Sequence, residues 1–521
     1  MTRPADILVV GAGPIGLTLA LQAHDHGARV RIVDRRTDTF RPSRALIMHP
    51  RTLEMLRPLG VAEPLLAQAD TDPQVMLHLG PRAIPVRLGT LDLPDTAFPH
   101  LTLVRQMDVE TALLNALAQR GMAVERGVEV VEVEDGPTGA RATLQLDAGT
   151  ERMTPDYVAG CDGPESIVRR SARIGWPGGP YREAIVLADL EIDAGFEPGV
   201  AHAAIGRQGL LILFPLGERA TWRLVTTRRG NTLPDAFGRA GPPVRQTELQ
   251  AMIDEAGLEA EIVHTAWSAE YRVQHRVAKR FREGHLFLVG DAAHAYSPAT
   301  GQGMNTGIQD AINLGWKLAF APAATDREAL LDSYDLERRP AVRQVLELTH
   351  VSFWLEASTD PLPTMLRALT SIGAPLIPLL LGRRRLIATS IRQVSQLRTA
   401  YPDSPLSVEG SPKLHTGPQP GQRVPDATVI IEGQKTRLHA LLARPGIHVL
   451  LQSNAAPLEK LDLGQHVAIH RLETGSGAGI IAARPDGHVG FRSGRADAEN
   501  LQRWLSRIGA MTRDETLRSK Q

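Results

Sequence analysis

The run Asp6-Ile7-Leu8-Val9-Val10-Gly11-Ala12-Gly13-Pro14-Ile15-Gly16 restricts the fold more than any other part of the chain. A short apolar stretch closed by glycine reads as a parallel strand buried on both faces. Residues 14–26 then carry apolar side chains at helical spacing, and residues 29–33 form a second apolar strand ending at Asp34. In a strand–turn–helix–strand unit the GxGxxG spacing has a physical meaning. Gly11 permits the tight turn, Gly13 lets the backbone approach a pyrophosphate, and Gly16 lets helix and strand close on each other. The helix N-terminus offers unpaired amides and a partial positive charge. A carboxylate about 20 residues further on suits a ribose hydroxyl. Gly11, Gly13, Pro14, Ile15, Gly16, Asp34 and the adjacent Arg35 are therefore expected to hold a dinucleotide. Asp34 would repel a 2′-phosphate, which disfavours NADP in this slot and leaves FAD and NAD.

At 521 residues the chain exceeds one hydrophobic core, so two or three domains are expected. The formal net charge is zero, which gives no electrostatic argument for nucleic acid or a membrane surface as partner. Cys161 is the single cysteine, so neither a disulfide framework nor a cysteine-ligated zinc can form within one chain. No metal site is expected. The residues before the first strand do not read as a signal peptide, and a cytoplasmic location is expected. Residues 374–381 are apolar but interrupted by Pro375 and Pro378. They are too short to span a bilayer and read as a buried or interfacial helix.

The fold class expected is α/β: a Rossmann-like nucleotide-binding domain, an antiparallel-sheet substrate domain and a small C-terminal α/β domain. Residues 1–75, 105–175 and 275–400 are assigned to the first, with a helix at 108–120 and strands at 128–133, 142–146, 157–161 and 286–289. Residues 76–104 and 176–274 are assigned to the sheet domain, where short apolar runs such as 184–190 and 210–214 alternate with turns. Helices are expected at 308–320 and 327–348, the second broken or kinked at Pro340. Residues 401–421 are rich in Pro, Ser and Gly and read as a linker. Residues 422–521 contain strand-like runs at 448–452 and 467–472 and a closing helix at 500–508.

A second glycine-rich turn follows the strand at 286–289: Gly290-Asp291-Ala292-Ala293-His294, then Pro298, Gly301-Gln302-Gly303-Met304-Asn305 and Asp310-Ala311-Ile312-Asn313-Leu314-Gly315-Trp316-Lys317-Leu318. Further segments accompany it: Ser43-Arg44-Ala45, Arg105-Gln106, the DGxxSxVR pattern from Asp162 to Arg169, and Glu337-Arg338-Arg339-Pro340. In this order they resemble the FAD-dependent aromatic hydroxylases typified by para-hydroxybenzoate hydroxylase, including the phenol and polyketide hydroxylases. The resemblance covers residues 5–350. Residues 422–521 resemble the thioredoxin-like C-terminal domain of the larger members, with Arg484-Pro485-Asp486-Gly487-His488-Val489 similar to its closing hairpin. Without cysteine that domain can do no dithiol chemistry, and it is expected to serve packing or dimerisation. The chain is expected to be a monomer or homodimer.

The resemblance resolves the duplication of glycine loops, because FAD is long enough to need both. It implies Arg44 at the pyrophosphate, Gln106 at the ribityl chain or ring edge, and Asp162 in the motif that handles FAD and the nicotinamide cofactor. It implies Gly290 and Asp291 at the ribityl hydroxyls. Gly301, Gly303, Met304 and Asn305 would aim amides at the flavin edge where negative charge develops on reduction. NAD(P)H and O2 would be co-substrates, with NAD(P)H bound transiently since no second fingerprint exists. The implied chemistry is hydroxylation of a small-molecule phenolic or polycyclic aromatic substrate through a flavin C4a-hydroperoxide, with water excluded by the protein. Pro298 would face substrate, and Tyr296, Phe214 and Tyr271 are pocket candidates. Arg105, Arg272 and His275 are candidates to ionise or hold a phenol. Baeyer–Villiger insertion, epoxidation, and a reductase or dehydrogenase without oxygen insertion stay open alternatives. The halogenases on the same fold carry a WxWxIP signature, and no two tryptophans here stand two apart.

Overall fold

The computed structural model describes residues 6–38, 47–80, 82–89, 91–206, 209–216, 222–229, 241–358, 360–373, 384–458, 463–474 and 476–511. The principal elements in chain order begin with β1 (Ile7–Val10), α1 (Pro14–Asp25), β2 (Val30–Asp34), β3 (Gln74–Leu79), β4 (Arg82–Arg87), α2 (Gln106–Gln119), β5 (Val124–Arg126), β6 (Tyr157–Gly160) and α3 (Ile167–Ser171). There follow β7 (Gly178–Ala194), β8 (Val200–Gly206), β9 (Gly209–Pro215), β10 (Trp222–Arg229), α4 (Gln246–Glu255), β11 (Ala260–Val277), β12 (Arg282–Glu283), β13 (Leu286–Leu288) and β14 (His294–Ala295). The last are α5 (Gln302–Phe320), α6 (Arg327–Ala357), α7 (Pro361–Gly373), α8 (Arg384–Val394), β15 (Val408–Glu409), β16 (Ile447–Leu451), β17 (Val467–Arg471), β18 (Ile480–Ala483), β19 (Val489–Ser493) and α9 (Ala498–Ile508). Arg44 and the apolar run at 374–381 lie outside the described residues.

Among the described residues, the first sheet has the order β12-β13-β6-β1-β2-β5. From β13 to β5 the pairing is parallel. β1 and β6 are buried along their whole length, as strands covered on both faces must be. α1 lies close along α5, and two glycines permit it. A Cβ on Gly307 would fall 2.6 Å from Ile15 Cγ1, and one on Gly315 would fall 2.8 Å from Gln22 Cβ. Eight residues apart, they sit on one face of the helix about two turns from each other.

The second sheet has the order β14-β11-β7-β10-β9-β8-β3-β4. It is antiparallel except where β3 joins β8 in parallel. The expected antiparallel sheet thus carries one parallel pair, because β3 arrives from a distant upstream segment and no hairpin dictates its direction. β7 and β11 are also longer than the short runs read from sequence, at 17 and 18 residues. One face packs Val186, Leu213 and Leu224 against Leu249 and Ile253 of α4. The other packs Ile185, Leu187 and Tyr271 against Phe353 and Ala357 of α6.

α6 runs unbroken through Pro340, where a break or kink was expected. Pro340 lies on the exposed side and Leu336, whose carbonyl it leaves unpaired, is 54% exposed. Water can serve that carbonyl, so the usual penalty of an interior proline is softened. The C-terminal sheet has the order β15-β19-β18-β16-β17, parallel at its two outer pairs and antiparallel within. Residues 401–421 are packed rather than free: Tyr401, Leu406 and Leu414 are buried, and the Gly421 amide donates to the Val489 carbonyl at 2.7 Å. Leu406, Phe491 and Trp504 belong to the same continuous core as β1 and α5. No described helix is long and apolar enough to cross a membrane. No described group of three or more His, Cys, Asp or Glu is placed to hold a metal.

Candidate active site

Three neighbouring parallel strands, β1, β6 and β13, open into loops at their C-terminal ends, where doubly wound sheets hold their ligands. After β1, Gly11 adopts φ +100°, and a Cβ there would fall 2.5 Å from the Cys161 carbonyl oxygen after β6. A Cβ on Gly16 would fall 1.9 Å from the Gly11 carbonyl. Gly13 is the N-cap of α1, and Pro14 opens the helix where a missing amide hydrogen costs nothing. At the end of β2, Asp34 accepts hydrogen bonds from the Ala12 amide (2.8 Å) and the Arg36 amide (2.9 Å). It thus fixes the glycine loop to β2, while Arg35 is exposed. Ile15 is held between Gly290 and Gly307, its Cγ1 lying 3.1 Å and 2.6 Å from where their Cβ atoms would stand. The two glycine loops are therefore in direct contact.

Asp162 follows β6. Its Oδ2 accepts from the Ile167 amide at 2.7 Å, while its Oδ1 is buried with no hydrogen-bond partner among the described residues. Burial pushes its pKa up, and the Ser166 hydroxyl and nearby amides pull it back only in part. Burial likewise drives the Cys161 thiol well above its ordinary value, so it is no nucleophile. Arg169, which closes the DGxxSxVR pattern, was assigned no role from sequence. It donates to the Ala292 carbonyl (2.7 Å) and the Pro164 carbonyl (2.6 Å), and its guanidinium lies 3.8 Å from the Trp176 ring. It ties the loop after β6 to the loop after β13. Asp291 occupies the turn at Gly290–Ala292 and is half-buried.

The N-terminus of α5 is braced from below. Gly301, its N-cap, is left-handed (φ +67°), and so is Thr300 (φ +64°), a conformation that costs a non-glycine residue energy and collects at functional sites. Asn305 is fully buried: its Oδ1 accepts the His49 amide (3.0 Å) and its Nδ2 donates to the Ile47 and Gly301 carbonyls (2.9 and 2.7 Å). Its side chain supports the loop rather than facing a ligand. His49 Nε2 lies 3.0 Å from the Thr300 carbonyl, and burial lowers its pKa to about 4. Met304 is buried, whereas a Cβ on Gly303 would meet nothing within 4 Å. Gly303 therefore borders open space on its Cβ side, and the first amides of α5 have no intrahelical partners.

The residues read as catalytic or substrate-facing do not form one cluster. Pro298 is exposed and its carbonyl accepts the Gly301 amide at 2.9 Å. Tyr296 is buried, stacked on His294 at 5.2 Å, and burial raises its pKa well above the ordinary value. Arg105 grips Asp108 through Nε (2.8 Å) and Nη2 (3.0 Å), and Gln106 donates to Glu110 at 2.8 Å, both at the start of α2. Alternation along β11 sends Tyr271 and Arg272 to opposite faces: Tyr271 packs under α6, while Arg272 shares the α4 face with Glu270. Phe214 is half-buried, and His275, beside Tyr181 at 4.9 Å, has its pKa lowered by burial.

An orphaned buried carboxylate oxygen needs a hydroxyl or amine donor, and an open cradle of amides needs an acceptor edge. FAD carries both kinds of group, so these residues fit it. Residues 4–349 match the family described as FAD binding domain. The chain belongs to this family of FAD-dependent aromatic hydroxylases. It is 33% identical to 6-methylpretetramide 4-monooxygenase of Streptomyces rimosus over 79% of this chain and 73% of that one. It is 30% identical to pentachlorophenol 4-monooxygenase of Sphingobium chlorophenolicum over 66% of this chain and 64% of that one. The solved OxyS anhydrotetracycline hydroxylase from Streptomyces rimosus superposes with a TM-score of 0.77 at 27% identity, covering 97% of this chain and 99% of that one. The hydroxylase is thus a monooxygenase of aromatic compounds that uses FAD, with NAD(P)H and O2 as co-substrates. When bound, FAD supplies the redox chemistry; the protein supplies binding, orientation and exclusion of water.

Proposed function

We propose that the hydroxylase acts on a multi-ring phenolic compound seated between the α5 N-terminus and the eight-stranded sheet. The observation that carries this reading is the character of the sheet face shared with Tyr271. Leu210, Ile212, Phe214 and Val225 alternate onto that face and are only half-buried, giving a largely aliphatic surface for a flat apolar body. At its far end Arg223 donates to Asp189 through Nε (2.7 Å) and Nη2 (2.8 Å), a polar handle for a substrate hydroxyl or carbonyl. Relatives named for tetracyclic compounds support the size class.

In this reading the pyrophosphate rests on the amides at Gly11–Gly16, Asp34 takes the ribose, and Asp162 and Asp291 take ribityl hydroxyls. The α5 amides at Gly303 and Met304 face the flavin edge, where helix-end charge favours the reduced, anionic ring. Pro298 borders the substrate, and His275 is the preferred candidate to accept a phenolic proton, since it shares the Tyr271 face and burial lowers its pKa, favouring the unprotonated ring. Separate hydrophobic clusters on the eight-stranded sheet support the division into nucleotide and substrate domains. The mixed C-terminal sheet supports a thioredoxin-like packing domain. A cytoplasmic monomer or homodimer completes the proposal. The test is a comparison of tetracyclic and single-ring phenols for stimulation of NAD(P)H oxidation, with product mass. The expected result is a lower KM and tighter coupling for the larger compounds; turnover of single-ring phenols alone overturns the size assignment.

A further inference from the structure

Two buried polar clusters connect the second glycine turn to the C-terminal sheet, and they meet at Tyr401, whose ring lies 5.6 Å from the Arg484 guanidinium. Asp310 on α5 accepts from the Gly290 amide (3.3 Å) and from His294 Nε2 (2.6 Å) through Oδ2, and from Arg338 Nε (2.7 Å) through Oδ1. Arg338 Nη1 donates in turn to the Tyr401 hydroxyl at 2.8 Å, and the Tyr401 ring lies 4.4 Å from that of His488. Next to Arg338, Glu337 accepts from Lys317 Nζ, Asn313 Nδ2 and Arg484 Nη1 and Nη2, each at 2.7 Å. Asn313 also donates to Asp486 at 2.9 Å. None of Asp310, Asn313, Lys317, Glu337, Arg484 and Asp486 is more than 2% exposed.

Ion networks this deep are poor investments for stability alone, because desolvation offsets most of the attraction and apolar residues of equal volume often serve as well. What such a network does supply is a single allowed geometry, since it is satisfied only when every member is in place. Asp310, Asn313 and Lys317 stand at i, i+3 and i+7 on one side of α5. The N-terminus of that same helix carries Gly301–Asn305, and its first partner, Asp310, holds the Gly290 turn. Displacing α5 would move both contacts at once.

We propose that Arg338 is a positioning residue of the flavin site, and that Tyr401 and Arg484 from the C-terminal part of the chain set it, acting through Asp310 on the Gly290 turn. This rests on the reading of that turn as part of the FAD site. The C-terminal sheet is then a fixed component of the flavin site rather than an appended module.

The test compares three variants of the full-length holoenzyme: Tyr401→Phe, which removes one acceptor from Arg338 and keeps the ring; Arg484→Lys, which keeps the charge and loses the fork; and Arg503→Ala, which breaks an exposed pair with Glu499 on α9. FAD affinity, the visible flavin band and the flavin midpoint potential are measured beside the melting temperature. Tyr401→Phe and Arg484→Lys are expected to weaken FAD about threefold to thirtyfold and to shift band and potential, with Arg503→Ala matching wild type. If the two variants only lower the melting temperature and bind FAD with wild-type affinity, band and potential, the network is structural and the inference falls. Should Arg484→Lys fail to fold, Tyr401→Phe decides alone. Failure of the wild type itself to bind FAD would instead sink the flavin reading.

Discussion

Replacing Gly307 by alanine asks whether the two glycine loops form one site. The new Cβ would stand 2.6 Å from Ile15 Cγ1 and 3.3 Å from Gly290 Cα, so Ile15 must shift or α5 must draw away from α1. Helix propensity favours alanine over glycine by about 1 kcal/mol, and overpacking costs about 1–3 kcal/mol. Together they leave a net cost of about 0–2 kcal/mol, so the melting temperature should fall by only a few degrees. The displacement, however, falls between the pyrophosphate loop and the ribityl turn. A misfit of roughly 1.4 kcal/mol there weakens FAD about tenfold. Ile15→Ala removes the clashing atom, so the double variant should recover most of the affinity that Gly307→Ala loses, a coupling that independent sites lack. Flavin fluorescence titration of the apoproteins measures all three. Wild-type FAD affinity in Gly307→Ala, or losses that simply add in the double variant, would refute the one-site argument.

Asp162→Ala removes the buried oxygen that lacks a partner, and FAD affinity should fall by about 1–3 kcal/mol, the usual worth of such a bond; an unchanged titration would reduce Asp162 to a brace for α3. His49 is held neutral by burial, its pKa lowered to about 4 from an unfolded value of about 6.5. Below pH 6.5 the unfolded chain therefore binds the extra proton, and stability present above that pH is lost as pH falls toward 4, by about 1.4 kcal/mol per unit for each such group. His26 and His488 act in the same direction. His49→Gln should reduce the slope of stability against pH by one proton in denaturant titrations across that window, and an unaltered slope would contradict the burial argument.

The nucleotide-binding half was readable because its signals are local. β1 and β6 are apolar runs buried on both faces, and a Cβ on Gly16 would strike the Gly11 carbonyl only five residues earlier. Long-range features were not readable. Tyr271 was a pocket candidate and Arg272 a candidate to hold a phenol, and only the packing of the sheet shows that Tyr271 is the one facing α6. Nothing in residues 401–421 distinguishes a tether from a packed irregular segment, since Pro, Ser and Gly serve both. The polar residues Asp310, Asn313 and Lys317 fell at helical spacing on a face that proved to be the interior. Their partners, Arg338, Glu337 and Asp486, come from elsewhere in the chain, and only the tertiary fold shows that charges at this spacing are paired rather than solvated. Gly307 and Gly315 did carry a usable signal, a two-turn spacing of small residues that marks close helix contact.

The account's central claim is that this chain inserts one atom of O2 into an aromatic ring at the expense of NAD(P)H. The direct measurement is turnover of a multi-ring phenol under 18O2 by the FAD-loaded protein, with product mass and NAD(P)H consumption followed together. The account predicts a product heavier by one labelled oxygen, formed in step with NAD(P)H oxidised. NAD(P)H oxidation with only hydrogen peroxide released, across tetracyclic and single-ring phenols alike, would contradict it.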